Sequence, residues 1–177
     1  MKLSGDKWHG DVWPSHFTEK ETKDTQRYYK AMPEEFYSRS GLPVITPDNV
    51  EEFIAMALKH KVDLQEVFAG SGRLALIAME HVNVCFPIDF RYGWDLRVPR
   101  HRTIVTDVRR RLGIGAVTYA PRCTCWSISA TRTGHWENLE RQREAEIPTL
   151  KWVRAEMGDQ VESGRDALLE QPARSKM

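Results

Sequence analysis

Hydrophobic positions along the chain follow two different periods, and the pattern changes near residue 62. In "TPDNVEEFIAMALKH" (46–60), apolar residues recur at helical spacing, which predicts a helix that packs on a core. Thr46 is suited to cap this helix, Pro47 to occupy its first position, and Asp48 to face the positive end of its dipole.

From residue 62 onward, short apolar runs alternate with helical patterns. The runs "VDLQEVFA", "VNVCFPID", "IGAVTYAP" and "DALLEQP" predict strands, and "FRYGWDL" predicts a loop or a further short strand. Between them, "GRLALIAMEH", "PRHRTIVTDVRRRLG" and "ENLERQREAEIPTLKWVRAEM" predict helices, the second ending at Gly113 and the third broken near Pro148. This alternation predicts an α/β fold, with a mostly parallel sheet of about five strands and helices on both faces.

The first part of the chain has a different composition. Residues 1–43 are rich in Lys, Asp, Glu, Ser and Pro, and their aromatic residues keep neither a helical nor a strand period. We interpret this part as a loosely ordered polar arm, or alternatively as a segment that docks on a partner or on its own domain. Residues 44–177 are then the folded domain.

Composition and charge exclude several classes of protein. The 177 residues are 41% hydrophobic and carry a net charge of +1, so the chain as a whole has no electrostatic signature of nucleic-acid or membrane binding. No apolar run approaches the roughly 18 residues of a membrane span. Three cysteines and no apolar leader predict an intracellular protein, nuclear or cytoplasmic, with free thiols. Nothing in the sequence indicates an oligomeric state.

The turn in "EVFAGSG" is a candidate nucleotide site. Gly70, Gly72 and Ala75 satisfy G-x-G-x-x-A, and Asp89 follows Gly70 by 19 residues, as in dinucleotide-binding proteins. A tight turn without a ligand has the same pattern. Glu66, at the end of the preceding strand, would repel a pyrophosphate but suits the ammonium group of a methionine moiety. The residues therefore favour S-adenosylmethionine over a nicotinamide dinucleotide.

Cysteine and glutamate residues follow two later strands. Cys123 lies just past the "GAVTYA" strand and next to Arg122, where it is either a thiolate nucleophile or a small buried apolar residue. Together with Cys125 and His135 it lacks the paired spacing of a zinc site, so we expect no metal. Glu170 ends the apolar run "DALLEQP".

These motifs in their order resemble those of the class I, S-adenosylmethionine-dependent DNA cytosine-5 methyltransferases, over roughly residues 62–177. The first family motif, acidic-x-Phe-Ala-Gly-x-Gly, is matched by Glu66, Phe68, Ala69, Gly70 and Gly72, with Ser71 at its variable position. "PID", "GWDL", "PRCTCWS" and "LLEQP" follow in the family's order. The chain also resembles methyltransferase-like segments in open reading frames of mobile elements.

The resemblance implies a Rossmann-like methyltransferase sheet and a bound S-adenosyl-L-methionine. Phe68 would stack on the adenine, and the backbone of residues 69–72 would hold the methionine end. Asp89 would bind the ribose, and Asp95 would reach the adenine amino group.

The resemblance also implies a catalytic pair. The Cys123 thiolate would add to ring carbon six of a flipped cytosine, Glu170 would hydrogen-bond the ring nitrogen, and carbon five would take the methyl group. Arg122 stands where the family has proline, and Thr124 where it has glutamine. Since only seven residues follow Glu170, we expect a domain that is incomplete at its C-terminus, a fragment or degenerate copy without sequence-specific DNA methylation of its own.

A basic run precedes Gly113. Its arginines are suited either to contact the phosphates of a nucleic acid or to form a solvated helix face; they are Arg97, Arg100, Arg102, Arg109, Arg110 and Arg111. Three hypotheses about function remain open. They are an active DNA cytosine-5 methyltransferase, a non-catalytic methyltransferase-like module of a larger polyprotein, and an NAD-binding oxidoreductase.

Overall fold

The computed structural model describes residues 47, 49–70, 72–127, 130 and 136–171. The predicted polar arm, the proposed cap Thr46, Asp48 and Ser71 lie outside the described residues.

A small parallel sheet forms the centre of the fold. Along the chain the elements are α1 (Val50–Ala57), β1 (Leu64–Val67), α2 (Arg73–Ala78), a 3₁₀ turn (Phe90–Tyr92), α3 (Pro99–Leu112), β2 (Ala116–Tyr119), α4 (Trp136–Glu162) and β3 (Asp166–Leu169). β2 lies between β1 and β3, and both pairs are parallel. The predicted α/β class with a parallel sheet is therefore confirmed, and the described residues form three strands.

The predicted strand "VNVCFPID" runs beside β1 without forming a regular ladder. It makes two isolated parallel bridges, Leu64 to Val84 and Val67 to Ile88. The two bridges enclose one more residue on this segment than on β1, and Pro87 between them has no N–H to donate. An extra residue together with a missing donor accounts for the interruption of the ladder.

The two faces of the sheet are buried to different extents. Side chains of β1 and β2 alternate between half-buried and fully buried, as expected from strand geometry. Val67, Val117 and Tyr119 belong to the core. On the opposite face the carboxylate of Glu66 accepts a hydrogen bond from the backbone of α2. At the edge of the sheet, β3 leaves 62% of Leu168 exposed.

The first helix is shorter than predicted. It begins at Val50 with Asn49 as its N-cap, and Pro47 lies in a turn before it, so the prediction that Pro47 occupies the first helical position is wrong. The bond from the Phe53 N–H to the Asn49 carbonyl (3.0 Å) marks where the α-helical ladder starts. The predicted apolar stripe is confirmed at Phe53, Ile54 and Ala57, which are fully buried, whereas Leu58 at the C-cap is largely exposed.

Two later helices differ in how well the sequence predicted them. α3 ends as predicted at Gly113, which adopts φ 61° in the left-handed region that favours glycine. The predicted break near Pro148 is wrong, because α4 continues through this proline. Residues that follow Pro148 hold the helix in place, including Thr149, whose hydroxyl donates to the Leu96 carbonyl at 3.2 Å.

A buried arginine joins α3 to α4. The Arg109 side chain is fully buried, and its Nε donates to Glu156 at 2.8 Å and its Nη1 to Gln160 at 2.7 Å. Its remaining amino group bonds to Asp159. Thr106 donates to the second carboxylate oxygen of Glu156 at 2.9 Å. Every charge in this cluster thus has a partner, which is the condition for burying charge at tolerable cost.

We predict that Arg109→Ala destabilises the protein by about 3–5 kcal/mol, because it leaves the buried carboxylate of Glu156 without its cation. Urea unfolding followed by circular dichroism measures the change. Arg110→Ala is the matched control, since Arg110 is mostly exposed and pairs only with Asp159 at 3.1 Å among the contacts described. We expect Arg110→Ala to lower the free energy of unfolding by only a small fraction of the loss caused by Arg109→Ala. Equal losses in the two variants would contradict the structural role of Arg109.

Candidate functional site

A cavity of about 400 Å³ lies beyond the carboxyl ends of β1 and β2. This is the edge at which parallel α/β sheets bind ligands, and the volume is typical of small-molecule sites. Three residues predicted from separate motifs line it, namely Phe68, Asp89 and Asp95. The other lining residues are Phe90, Trp94, Leu96, Arg97, Ala120, Arg122, Glu146 and Thr149.

The glycine turn brings Phe68 to the cavity. Phe68, Gly70 and Gly72 all have positive φ, of 61°, 57° and 65°. Glycine adopts this conformation freely, but for phenylalanine it costs on the order of 1–3 kcal/mol. The predicted turn between β1 and α2 is therefore confirmed, and its first strained residue is the aromatic one that faces the cavity.

Asp89 holds the glycine turn from the neighbouring segment. Its Oδ2 accepts the Gly70 N–H at 2.9 Å, and the Ala69 N–H donates to the Ile88 carbonyl at 3.1 Å. The carboxylate thus lies beside the turn and lines the cavity at the same time. Gly70 and Asp89, which are 19 positions apart in the sequence, are therefore in direct contact.

Glu66 contacts the start of α2 and is absent from the residues that line the cavity. Its Oε2 accepts the Ala75 N–H at 2.9 Å, in the first turn of the helix. Burial raises the pKa of Glu66 to about 6, with a further increase from the negative charge of Asp89, although the Ala75 hydrogen bond acts in the opposite direction. A phosphate bound at this helix terminus would meet a carboxylate that already bonds one of the first-turn donors.

Asp95 forms a bidentate ion pair with Arg97. Nε of Arg97 lies 2.9 Å from Oδ1 of Asp95, and Nη2 lies 2.8 Å from Oδ2. The guanidinium also lies over the Phe90 ring, 5.5 Å from its centroid. Asp95 is itself fixed through its backbone, since its N–H donates to Nδ1 of His101 at 3.0 Å.

Several cavity residues were not found from the sequence. Glu146 and Thr149 lie one turn apart on α4, within a helix whose sequence marks neither as functional. Burial raises the pKa of Glu146, while the nearby charges of Arg122 and Arg97 act in the opposite direction. Phe90, Trp94 and Leu96 carried a signal, since each is adjacent in the sequence to Asp89 or Asp95. The cavity therefore combines aromatic walls with carboxylates and guanidinium groups.

The predicted catalytic pair lies at the same edge of the sheet but does not line the cavity. Cys123 is half-buried, and its carbonyl accepts the N–H groups of Trp126 and Ser127, both at 3.0 Å. Glu170 is exposed, and its N–H continues the sheet by donating to the Tyr119 carbonyl at 2.8 Å. Arg122, next to Cys123, is the residue of this loop that reaches the cavity.

The arginines of the basic run have different environments. Arg109 is fully buried, so both alternatives predicted for it, a phosphate contact and a solvated helix face, are wrong. Arg110 and Arg111 are paired with acidic residues, Asp159 in the first case and Glu51 and Asp107 in the second. Arg102 donates to the carbonyls of Leu96 and Arg97, and Arg100 is exposed. This pattern matches the solvated, ion-paired helix face more closely than a phosphate-binding surface.

Membrane-spanning helices and metal-binding clusters are both absent from the described part of the chain. None of the described helices combines the length and the hydropathy that a membrane span requires. Within the same residues, no three His, Cys, Asp or Glu side chains are grouped so that they could hold a metal ion.

Comparison with protein-family models, with curated proteins and with solved structures finds no match to this chain. The functional interpretation therefore depends on the residues of the cavity.

We predict that iodoacetamide near neutral pH alkylates Cys123 before the other two thiols. Cys85 is fully buried, and burial raises its pKa to about 12; burial also raises the pKa of Cys125. Each unit of raised pKa lowers the reactive thiolate fraction about tenfold. Mass spectrometry after brief labelling measures the order, with Cys123→Ser as the control that removes the fast site. Faster labelling of Cys85 would contradict the burial described.

We predict that Glu66 makes the protein less stable as pH rises from about 4.5 to above 6. Folding raises the pKa of Glu66 from its ordinary value of 4.5 to about 6. The contribution of Glu66 to the free energy of unfolding is therefore complete below pH 4.5 and is lost as pH rises through 6. The loss is about 1–2 kcal/mol. Glu66→Gln should remove it, as measured by denaturant unfolding across this pH range.

Glu51→Gln is the control with the opposite sign, because the hydrogen bond from Arg111 lowers the pKa of Glu51. This variant should keep the loss of stability between pH 4.5 and 6. Parallel profiles for Glu66→Gln and the unmodified protein would refute the prediction for Glu66.

Proposed function

We propose that this chain is an S-adenosylmethionine-binding, methyltransferase-like domain with a Rossmann-like sheet, and that the cofactor binds in the cavity at the carboxyl edge. The single observation that carries the proposal is that Phe68, Asp89 and Asp95 line one cavity. These residues come from three separate sequence motifs. The resemblance to DNA cytosine-5 methyltransferases assigns them to the adenine, the ribose and the adenine amino group.

The chemistry of the cavity supports a nucleoside. Phe68 and Phe90 offer aromatic surfaces on which a base can stack, while Asp89 and Asp95 offer acceptors for hydroxyl and amino groups. The segment that contains Val84 and Ile88 would serve as a further parallel strand next to β1, as in a Rossmann-like sheet. We also propose that the complete sheet has about five strands, as the sequence predicts.

The position of Glu66 favours the methyl donor over NAD. NAD needs a pyrophosphate beside the first turn of α2, where the carboxylate of Glu66 accepts the Ala75 N–H at 2.9 Å. At neutral pH this carboxylate carries negative charge, since its pKa is about 6. Repulsion of a phosphate and attraction of an ammonium group follow from the same charge.

We predict that S-adenosylhomocysteine binds more tightly than NAD, and that Asp89→Asn weakens its binding by about 10-fold to 100-fold. A hydrogen bond to a charged acceptor contributes about 1.5–3 kcal/mol, which corresponds to this range. Asparagine keeps an oxygen that can accept the Gly70 N–H, so the turn is retained while the charge is lost. Isothermal titration calorimetry with both ligands makes the measurement.

Asp63→Asn is the matched control. Asp63 precedes β1 at the opposite end, and its Oδ2 accepts the Asn83 N–H at 3.1 Å, much as Asp89 does with Gly70. Affinity for S-adenosylhomocysteine should not change in this variant. Equal affinity for the two ligands, or tighter binding of NAD, would refute the proposal.

A cofactor-binding module without methyl transfer is the second candidate. It is favoured because Glu170 is exposed and neither Glu170 nor Cys123 lines the cavity. Arg122, which replaces the family's proline, reaches the cavity in their place. The test is transfer of a tritiated methyl group to cytosine-containing DNA. Transfer that is abolished by Cys123→Ser would refute this second candidate and support an active methyltransferase.

A further inference from the structure

The side chain of Arg97 lines the cavity and contacts two other residues that line it. Its guanidinium makes two parallel hydrogen bonds to Asp95, at 2.9 and 2.8 Å, and lies 5.5 Å above the ring of Phe90. Arg97, Asp95 and Phe90 all line the cavity. One flat group therefore uses both the carboxylate and the aromatic surface that a ligand would need.

The guanidinium shares its flat shape and its in-plane N–H donors with the edge of an aminated heteroaromatic ring, and differs from it in carrying a permanent positive charge. It is planar, it donates N–H groups in its own plane, and its central carbon lies over an aromatic ring. A ring that carries an amino group has the same flat face and the same in-plane N–H donors. Arg97 and such a ring would compete for Asp95 and Phe90.

The two partners of the ion pair differ in their freedom to move. The Arg97 side chain is 47% exposed, whereas that of Asp95 is 8% exposed. Asp95 is held through its N–H bond to His101 at 3.0 Å and through its carbonyl, which accepts the Val98 N–H at 3.0 Å. Water can solvate a released guanidinium, and Asp95 would stay in position to accept a new donor. The arginine is thus the partner that a ligand can displace.

We propose that Arg97 is an internal competitor in this cavity, and that a ligand with a flat, amino-bearing heteroaromatic ring binds by displacing its guanidinium from Asp95 and Phe90. The inference rests on the proposed function and deepens it. It assigns to Arg97 a control over affinity that the sequence did not indicate, since Arg97 was predicted either as a phosphate contact or as part of a solvated helix face.

The test is the affinity of Arg97→Ala, measured by isothermal titration calorimetry with S-adenosylhomocysteine and, separately, with adenosine. Loss of a competing ion pair and stacking contact should tighten binding of both ligands by roughly tenfold. The backbone N–H of residue 97, which donates to Asp95 at 3.0 Å, is kept in this variant. Arg97→Lys, which keeps the charge but lacks the planar fork, should tighten binding by less and serves as the second variant.

Arg100→Ala is the control matched in charge. Arg100 is exposed and is absent from the residues that line the cavity, so its removal tests whether loss of one positive charge is sufficient. We expect no change in affinity. If Arg100→Ala tightened ligand binding as much as Arg97→Ala does, the displacement mechanism would be overturned.

The other outcomes separate this inference from the proposed function. Binding of S-adenosylhomocysteine by the unmodified protein, with equal or weaker binding by both Arg97 variants, would overturn the inference and leave the function standing. Tighter binding of adenosine by Arg97→Ala, without any binding of S-adenosylhomocysteine, would refute the function and support the inference. Absence of binding by either ligand to every variant would overturn both.

Discussion

The buried ion pair between Arg109 and Glu156 is the constraint on which the rest of the structure depends. Arg109 belongs to α3 and Glu156 to α4, and neither charge could remain buried without the other. Gln160 extends the contact to the sheet, because its amide donates to the Ile114 carbonyl at 2.8 Å just before β2 begins. Two helices and the central strand are thereby fixed relative to one another.

This arrangement also fixes one wall of the cavity. Thr149 and Glu146 lie on α4, so the same helix that is anchored by Glu156 supplies their side chains to the cavity. The loop after β2 is attached to α4 as well, through Arg143, whose Nε donates to the Cys125 carbonyl at 3.0 Å. Structural polar contacts on one side of α4 therefore position the polar groups of the candidate site.

Carboxylates at the opposite wall serve the fold as well as the candidate site. Asp89 lines the cavity and also accepts the Gly70 N–H at 2.9 Å. Asp95 is paired with Arg97. A ligand at this edge therefore meets acceptors that already have partners, and its affinity depends on the difference between the new contacts and those it replaces. The competition that we infer for Arg97 is the clearest case of this balance.

The sequence by itself determined the elements whose signals are local. Apolar periodicity predicted α1 and the strands, Gly113 marked the end of α3, and the paired glycines predicted the turn after β1, because these features depend on neighbouring residues alone. Only the tertiary structure decided which arginine is buried, that α4 continues through Pro148, and that Glu146, Thr149 and Arg97 share a cavity. Those outcomes arise from contacts between residues far apart in the chain, such as the 47 positions between Arg109 and Glu156, and no local pattern encodes them.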